Sequence, residues 1–250
     1  MNEQPKENRA MQNPESRPNL HVVQEGIGAE NDIYTKRFSS TEEETRRRVW
    51  EILCEDFLSQ YVSPNDTVVD IGAGDGHFIK NIKAKRRIAV DLSPHALELK
   101  KFGAEVLLAP ATELSQHVSE KVDVIFMSNF LEHLPNKSVL LEVLSECKKI
   151  LRPGGVVMIL QPNIRYVGSA YWDYIDHHIA LTEHSLVEAL EVSGFSIVRM
   201  IPRFLPYTAK SGIGKLVGGG KYAELVRWYL RLPLLWRVFG QQTFVVATLK

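Results

Sequence analysis

The chain has little of what would place it outside a cell or within a membrane. It has two cysteines, Cys54 and Cys147, in 250 residues. That is too few for a disulfide framework or a thiolate metal site. Both lie in apolar-periodic, helix-like segments and read as buried thiols in a reducing compartment. The sequence lacks any apolar run near the roughly 18 residues a transmembrane helix needs. The opening MNEQPKENRAMQNPESRPNL has no apolar core and no signal-peptide pattern. Cytoplasmic residence is the expectation, with peripheral contact at the inner membrane surface left open. Net charge is also missing, since Lys+Arg and Asp+Glu are both 30. Without a basic excess there is no general attraction to phosphate backbones, and no nucleic-acid partner is expected.

What is present suffices for one core: 44% of residues are hydrophobic, and one domain is the default at this length. Residues 1–30 are polar and aperiodic and read as a disordered tail, leaving a domain over 31–250. Ser40, with Glu43 three residues on, has capping-box spacing before an apolar stripe of Val49, Trp50, Leu53, Phe57 and Tyr61. TVVDIGAGDG then reads as a buried strand running into a tight turn, and HFIKNIKAK as a helix. RIAVDL, EVLLAP, VDVIFMSN and VVMILQPN read as further strands, with a helix started by Ser93-Pro94 and another ended by RPGG. The alternation of doubly apolar strands with helices predicts a parallel sheet sandwiched between helices. Residues 163–180 read as an aromatic-rich loop, TEHSLVEALEVSGF as a helix, and FSIVRMIP and QTFVVATL as closing strands. Residues 205–240 read as a connection and an apolar, Arg-laced insertion that Pro233 splits into two helices.

The motif Asp70-Ile-Gly72-Ala73-Gly74-Asp-Gly76 carries the chemistry. Glycines at a strand-to-helix turn let backbone approach a ligand at the carboxyl end of a sheet. A dinucleotide fingerprint would need a third glycine where His77 stands. A pyrophosphate would also meet Asp70, whereas a ligand carrying an ammonium and a sulfonium would be attracted to it. Asp91, at the end of the next strand, is placed to accept ribose hydroxyls. The glycine stretch near residue 214 fails the phosphate-loop pattern and reads as a connection.

With VVDIGAGDG, IAVDLSP, VDVIFMSNFLEHL, LRPGG and the closing SGF strand, the chain resembles the class I S-adenosylmethionine-dependent methyltransferases. The resemblance implies a Rossmann-like α/β fold: seven strands, mostly parallel, helices on both faces and an antiparallel last strand. It implies that Asp70, Gly72, Ala73, Gly74 and Gly76 surround the methionine part of S-adenosylmethionine. Asp91 would hold the ribose, Leu92 would pack beside the adenine, and Ala111 and Thr112 would lie near the adenine ring. Asn129 and Phe130 would face the sulfonium, and Tyr34 and Phe38 would belong to a segment that folds over the cofactor. Where the family commonly has an adenine-binding Asp, this chain has Pro110. The fourth-strand residues Asn129-Phe-Leu-Glu-His lack the Asn/Asp-Pro-Pro-aromatic motif of nucleobase methyltransferases. The second half resembles methyltransferases of surface polysaccharide or glycolipid synthesis, which implies O-methylation of a sugar hydroxyl.

A sugar hydroxyl is weakly acidic, so its methylation calls for a general base. His133 reads either as that base or as a histidine ordering the loop. Asp176 and His177 read as base, acceptor ligands or plain loop hydrogen bonds. The run Asp173-x-x-Asp176-His177-His178 offers oxygen and nitrogen donors, but no metal ligand is assigned. His184 reads as an exposed helix residue. Tyr166, Tyr171, Trp172 and Tyr174 suit either stacking on sugar faces or core packing. Residues 221–240 suit either a cap on the core or a membrane-surface element. The competing functions are methylation of a small aromatic or lipid acceptor, a non-catalytic cofactor-binding module, and a nicotinamide oxidoreductase.

Overall fold

The structure is a computed structural model that describes residues 40–207 and 219–250. The expected tail over 1–30, the candidates Tyr34 and Phe38, and most of the glycine-rich stretch near residue 214 lie outside the described residues.

Seven strands form one sheet: β1 (Thr67–Ile71), β2 (Arg86–Asp91), β3 (Glu105–Leu108), β4 (Val122–Ser128), β5 (Leu151–Pro162), β6 (Phe195–Ile201) and β7 (Gln242–Leu249). Their spatial order is β3-β2-β1-β4-β5-β7-β6. β1 to β5 pair in parallel, and β7 runs antiparallel to both β5 and β6. This is the Rossmann-like architecture expected, antiparallel last strand included.

Both faces of the sheet are covered, and the strand period shows how. Val69, Ile71, Ile125, Met127, Val157, Ile159 and Val245 point into one cluster. Their alternating neighbours Val68, Val124, Phe126, Met158, Leu160 and Phe244 point into the other. Strands buried on both sides need apolar residues at nearly every position, which is why they were legible as unbroken runs. Helices α3 (Leu114–His117), α4 (Lys137–Ile150) and α6 (Glu183–Val192) fill the first face with Leu114, Leu140, Val143, Leu144, Cys147, Leu186 and Leu190. Helix α1 (Ser40–Asp56) and the five-residue α2 (His77–Asn81) fill the second with Ile52, Leu53, Phe78 and Ile79. Phe57 anchors that side, its ring 4.3 Å from Phe204 and 5.2 Å from Phe244. Both cysteines are free and buried, as expected, and burial pushes the Cys147 thiol up to about 12.

Local chemistry sets the boundaries. The Asn136 side chain accepts from Val139 N–H at 3.0 Å and starts α4. Thr182 and Ser185 form a reciprocal capping box at α6. The RPGG segment bulges out of β5, whose pairing with β4 jumps from Val122–Leu151 to Val124–Val156. Gly155 is required there, since a Cβ would lie 2.8 Å from the Asp123 carbonyl oxygen. Pro233 does divide the late segment, into α7 (Gly219–Arg231) and α8 (Pro233–Phe239), and takes the first turn of α8. Leu230 and Trp236 bury against the second cluster, and Arg227 pairs with Glu55 and Asp56 of α1. No described helix is long and apolar enough to cross a membrane.

Three local expectations are corrected. The helix after the glycine turn stops at Asn81, because Ile82 turns extended towards β2. The segment begun by Ser93-Pro94 is a 3₁₀ helix from Pro94 to Phe102, though Ser93 caps it as expected. Residues 163–180 are not merely a loop: α5 (Ile164–Val167), capped by the Asn163 side chain, and a 3₁₀ turn over Gly168–Asp173 order their first half.

Candidate active site

The strand order brings the carboxyl ends of β2, β1 and β4 side by side. The chain reverses its direction of winding between β1 and β4, the place where open α/β sheets leave a ligand crevice. Asp70, Asp91 and Asn129 all stand at this edge. Gly72, Gly74 and Gly76 have positive φ values of 67°, 49° and 70°. Gly72 and Ala73 donate to the Val90 carbonyl at 2.9 and 3.2 Å. Gly74 N–H donates to one Asp91 carboxylate oxygen at 2.7 Å, and Ser93 N–H to the other at 2.8 Å. Each oxygen keeps a second lone pair for a ligand hydroxyl.

Two glycines are needed because the turn is crowded on one side. A Cβ at Gly72 would lie 2.4 Å from the Phe130 ring, and one at Gly76 would lie 2.2 Å from Leu99. At Gly74 a Cβ would meet nothing within 4 Å, so the turn opens there. Asn129 is the only described non-glycine residue with positive φ, 46°. Such backbone persists where its surroundings hold it, and it marks functional sites often.

The electrostatics favour a cation. Asp70 is buried, and desolvation together with the nearby Asp91 carboxylate raises its pKa well above the usual range. A positive ligand group would relieve both effects. Leu92 is half exposed beyond β2. Ala111 and Thr112 sit partly buried in a short 3₁₀ turn beyond β3, with Pro110 just before it. His77 is largely buried and lowered to about 4, first by desolvation and then by the Arg46 charge.

A second cluster lies beyond β4 and β5. The segment Leu131–His133 is one 3₁₀ turn. Its Glu132 carbonyl accepts from His178 and Ile179 N–H at 2.8 and 3.1 Å, stitching the turn to the loop after β5. His133 Nδ1 lies 3.0 Å from the Asp176 carbonyl oxygen and 3.4 Å from its carboxylate. His177 Nδ1 lies 2.8 Å from the Tyr171 carbonyl oxygen. A carbonyl only accepts, so each neutral imidazole carries its proton on Nδ1 and its lone pair on Nε2. The two rings are 5.1 Å apart. The structure therefore brings His133 together with the adjacent pair Asp176 and His177, which lies 43 residues on from it in sequence. His178 and His184 are exposed, His184 as expected. Tyr171 is fully buried and donates to the Ile179 carbonyl, so it packs the core, whereas Trp172 is 55% exposed.

Sequence reasoning missed Glu132. It is 3% exposed, and its Oε2 has no hydrogen-bond partner among the described residues. Burial, with Asp176 nearby, pushes it up to about 8. An acid directly before His133 was the available signal, but its burial depends on a loop some forty residues later.

A family model described as a methyltransferase domain matches residues 43–200, more than half of the chain. The chain belongs to that family. The match runs from within α1 to β6, so it takes in the glycine turn and both clusters of this methyltransferase. Among curated proteins, the chain is 25% identical over 118 residues to the "Probable methyltransferase ltbC" of Aspergillus luteorubrus, covering 40% of this chain and 41% of that one. It is 27% identical over 113 residues to the ribosomal protein L11 methyltransferase of Geobacillus thermodenitrificans (strain NG80-2), covering 42% and 34%. The chain thus matches well under half the length of these relatives. Among solved structures, a SAM-dependent methyltransferase from Archaeoglobus fulgidus aligns with a TM-score of 0.57 at 20% identity, covering 82% of this chain and 94% of that one. A methyltransferase of Haloferax volcanii, in complex with the Trm112 activator, aligns with a TM-score of 0.58 at 15% identity, covering 83% and 93%. At these identities the likeness is one of fold.

Proposed function

We propose that this methyltransferase takes its methyl group from S-adenosylmethionine and delivers it to a hydroxyl oxygen of a sugar, in a glycan or glycolipid. The observation that carries the cofactor reading is the acidic pair Asp70 and Asp91 flanking an open glycine turn. That site suits a ligand with positive charge at one end and ribose hydroxyls at the other. In this reading Gly72, Ala73, Gly74 and Gly76 line the methionine part with Asp70, Asp91 takes the ribose, and Leu92, Ala111 and Thr112 flank the adenine. Asn129 and Phe130 stand at the reacting end. Bound there, the cofactor supplies a sulfonium methyl group open to in-line attack. The protein holds the nucleophile on that axis and manages its proton. His133, Asp176 and His177 are the groups proposed for the proton: His133 presents an Nε2 lone pair while Asp176 fixes its Nδ1.

The acceptor class rests on fewer residues. The exposed Trp172 offers an apolar face near the cluster for a sugar ring. Helices α7 and α8 expose Trp228 (61%), Leu234 (74%) and Val238 (62%) beside Arg231 and Arg237. An exposed apolar surface with flanking arginines suits peripheral contact with an anionic bilayer and an acceptor presented from it.

Calorimetry of S-adenosylmethionine binding, wild type against Asp91→Ala, tests the foundation. Losing a charge-assisted hydrogen-bond pair should weaken binding about 10- to 100-fold. Transfer of labelled methyl to a panel of sugar, catechol and lipid acceptors then decides the class. Absence of cofactor binding by the wild type would end the reading.

A further inference from the structure

We propose that Glu132, His133 and His177 form a binding site for one divalent transition-metal ion, of the zinc, iron(II) or manganese(II) class. One ligand atom of each lies within 4.8 Å of the others. Around an ion with bonds of about 2.1 Å, tetrahedral ligands sit roughly 3.4 Å apart, so modest side-chain rotations close the set. Two imidazoles and one carboxylate are the donor set that such ions take, with positions left for exogenous oxygen.

Three independent features support the assignment. Glu132 is buried, and its Oε2 has no hydrogen-bond partner among the described residues. A buried carboxylate oxygen left so is costly unless a positive charge meets it. Both histidines direct Nδ1 at a backbone carbonyl, the orienting contact that ligating histidines commonly make. The Asp176 carboxylate, 3.4 Å from His133 Nδ1, adds the outer carboxylate that commonly orients such a ring. The backbone is already fixed, because the Glu132 carbonyl holds both His178 and Ile179 N–H. The ion would therefore meet a preformed site.

Its chemical consequence rests on the reading of this cluster as the acceptor end of the site. An acceptor hydroxyl bound to the ion would be more acidic. His133 and His177 would then hold the metal rather than take the proton, which would pass from the metal-bound oxygen to solvent water. Ion binding itself requires no acceptor, so it is tested separately.

The full chain is stripped with chelator, dialysed against Zn²⁺ and assayed for metal content, then loaded with Co²⁺ for its visible spectrum. Expected are about one equivalent of zinc and cobalt bands indicating nitrogen and oxygen ligation. Glu132→Gln and His177→Ala should each weaken zinc binding at least 10-fold. His133→Ala, a less buried position, provides a third variant should either fail to fold. His184→Ala, on an exposed helix face, should bind zinc as the wild type does. S-adenosylmethionine binding by the same samples reports the cofactor site independently. Zinc at far below one equivalent in the wild type, or unchanged affinity in all three ligand variants, would overturn the proposal.

Discussion

Asp70 shows how a single residue trades stability for binding. Its carboxyl is buried, faces Asp91 and accepts from Ile79 N–H. Its folded pKa lies above its unfolded value of about 3.9. The folded protein therefore holds this proton more tightly than the unfolded chain does. The associated stability is complete below the unfolded pKa and is lost as pH rises through the folded one. Asp70→Asn keeps a carbonyl oxygen for Ile79 and carries no charge. Without ligand, the wild type should lose melting temperature relative to Asp70→Asn as pH is raised from 5 to 8. The variant should bind S-adenosylmethionine more weakly. Parallel melting curves across that range would contradict the argument. Asp70 and Asp91 were legible because their roles are set by neighbours in one short motif. Glu132 was not, because its environment is made by residues 171–179 folding back over it.

At the scale of the element, the glycine turn makes two demands on its sequence. Gly72 needs both a left-handed φ and the space the Phe130 ring leaves, whereas Gly74 needs only the φ. Gly72→Ala should cost about 1–3 kcal/mol from overpacking, with strain added. Gly74→Ala should cost about 1 kcal/mol, yet it puts a methyl group on the open side of the turn. Melting curves and calorimetry should therefore separate them: the first mainly unfolds the protein, the second mainly weakens cofactor binding. Equal effects on both measurements would count against an open, ligand-facing Gly74. The strands were legible because burial on both faces writes itself as apolar runs. The helix types were less so, since the short α2 and the 3₁₀ segment Pro94–Phe102 are set by where the next strand must begin.

For the whole molecule, the insertion between β6 and β7 has a buried side and an exposed apolar side. Leu230 and Trp236 cap the core, while Trp228, Leu234 and Val238 face outward. Sequence periodicity could not divide the residues this way, because α7 and α8 meet at Pro233 at an angle that only packing sets. If the outward side meets a bilayer, the wild type should co-sediment with anionic vesicles. A Trp228→Ser, Leu234→Ser variant should bind them several-fold less while keeping cofactor affinity. Equal sedimentation of the two would remove the membrane contact from the proposed function. The position of β7 carries another consequence. Among the described residues β6 has no strand neighbour except β7, and β7 also completes the free edge of β5. Both neighbours leave the ribosome before β7 does. For that interval the nascent chain holds out two unsatisfied strand edges, one lined by Val157, Met158, Ile159 and Leu160, to any other chain in reach. The yield of active protein in a cell would then follow how quickly synthesis passes from residue 201 to residue 249.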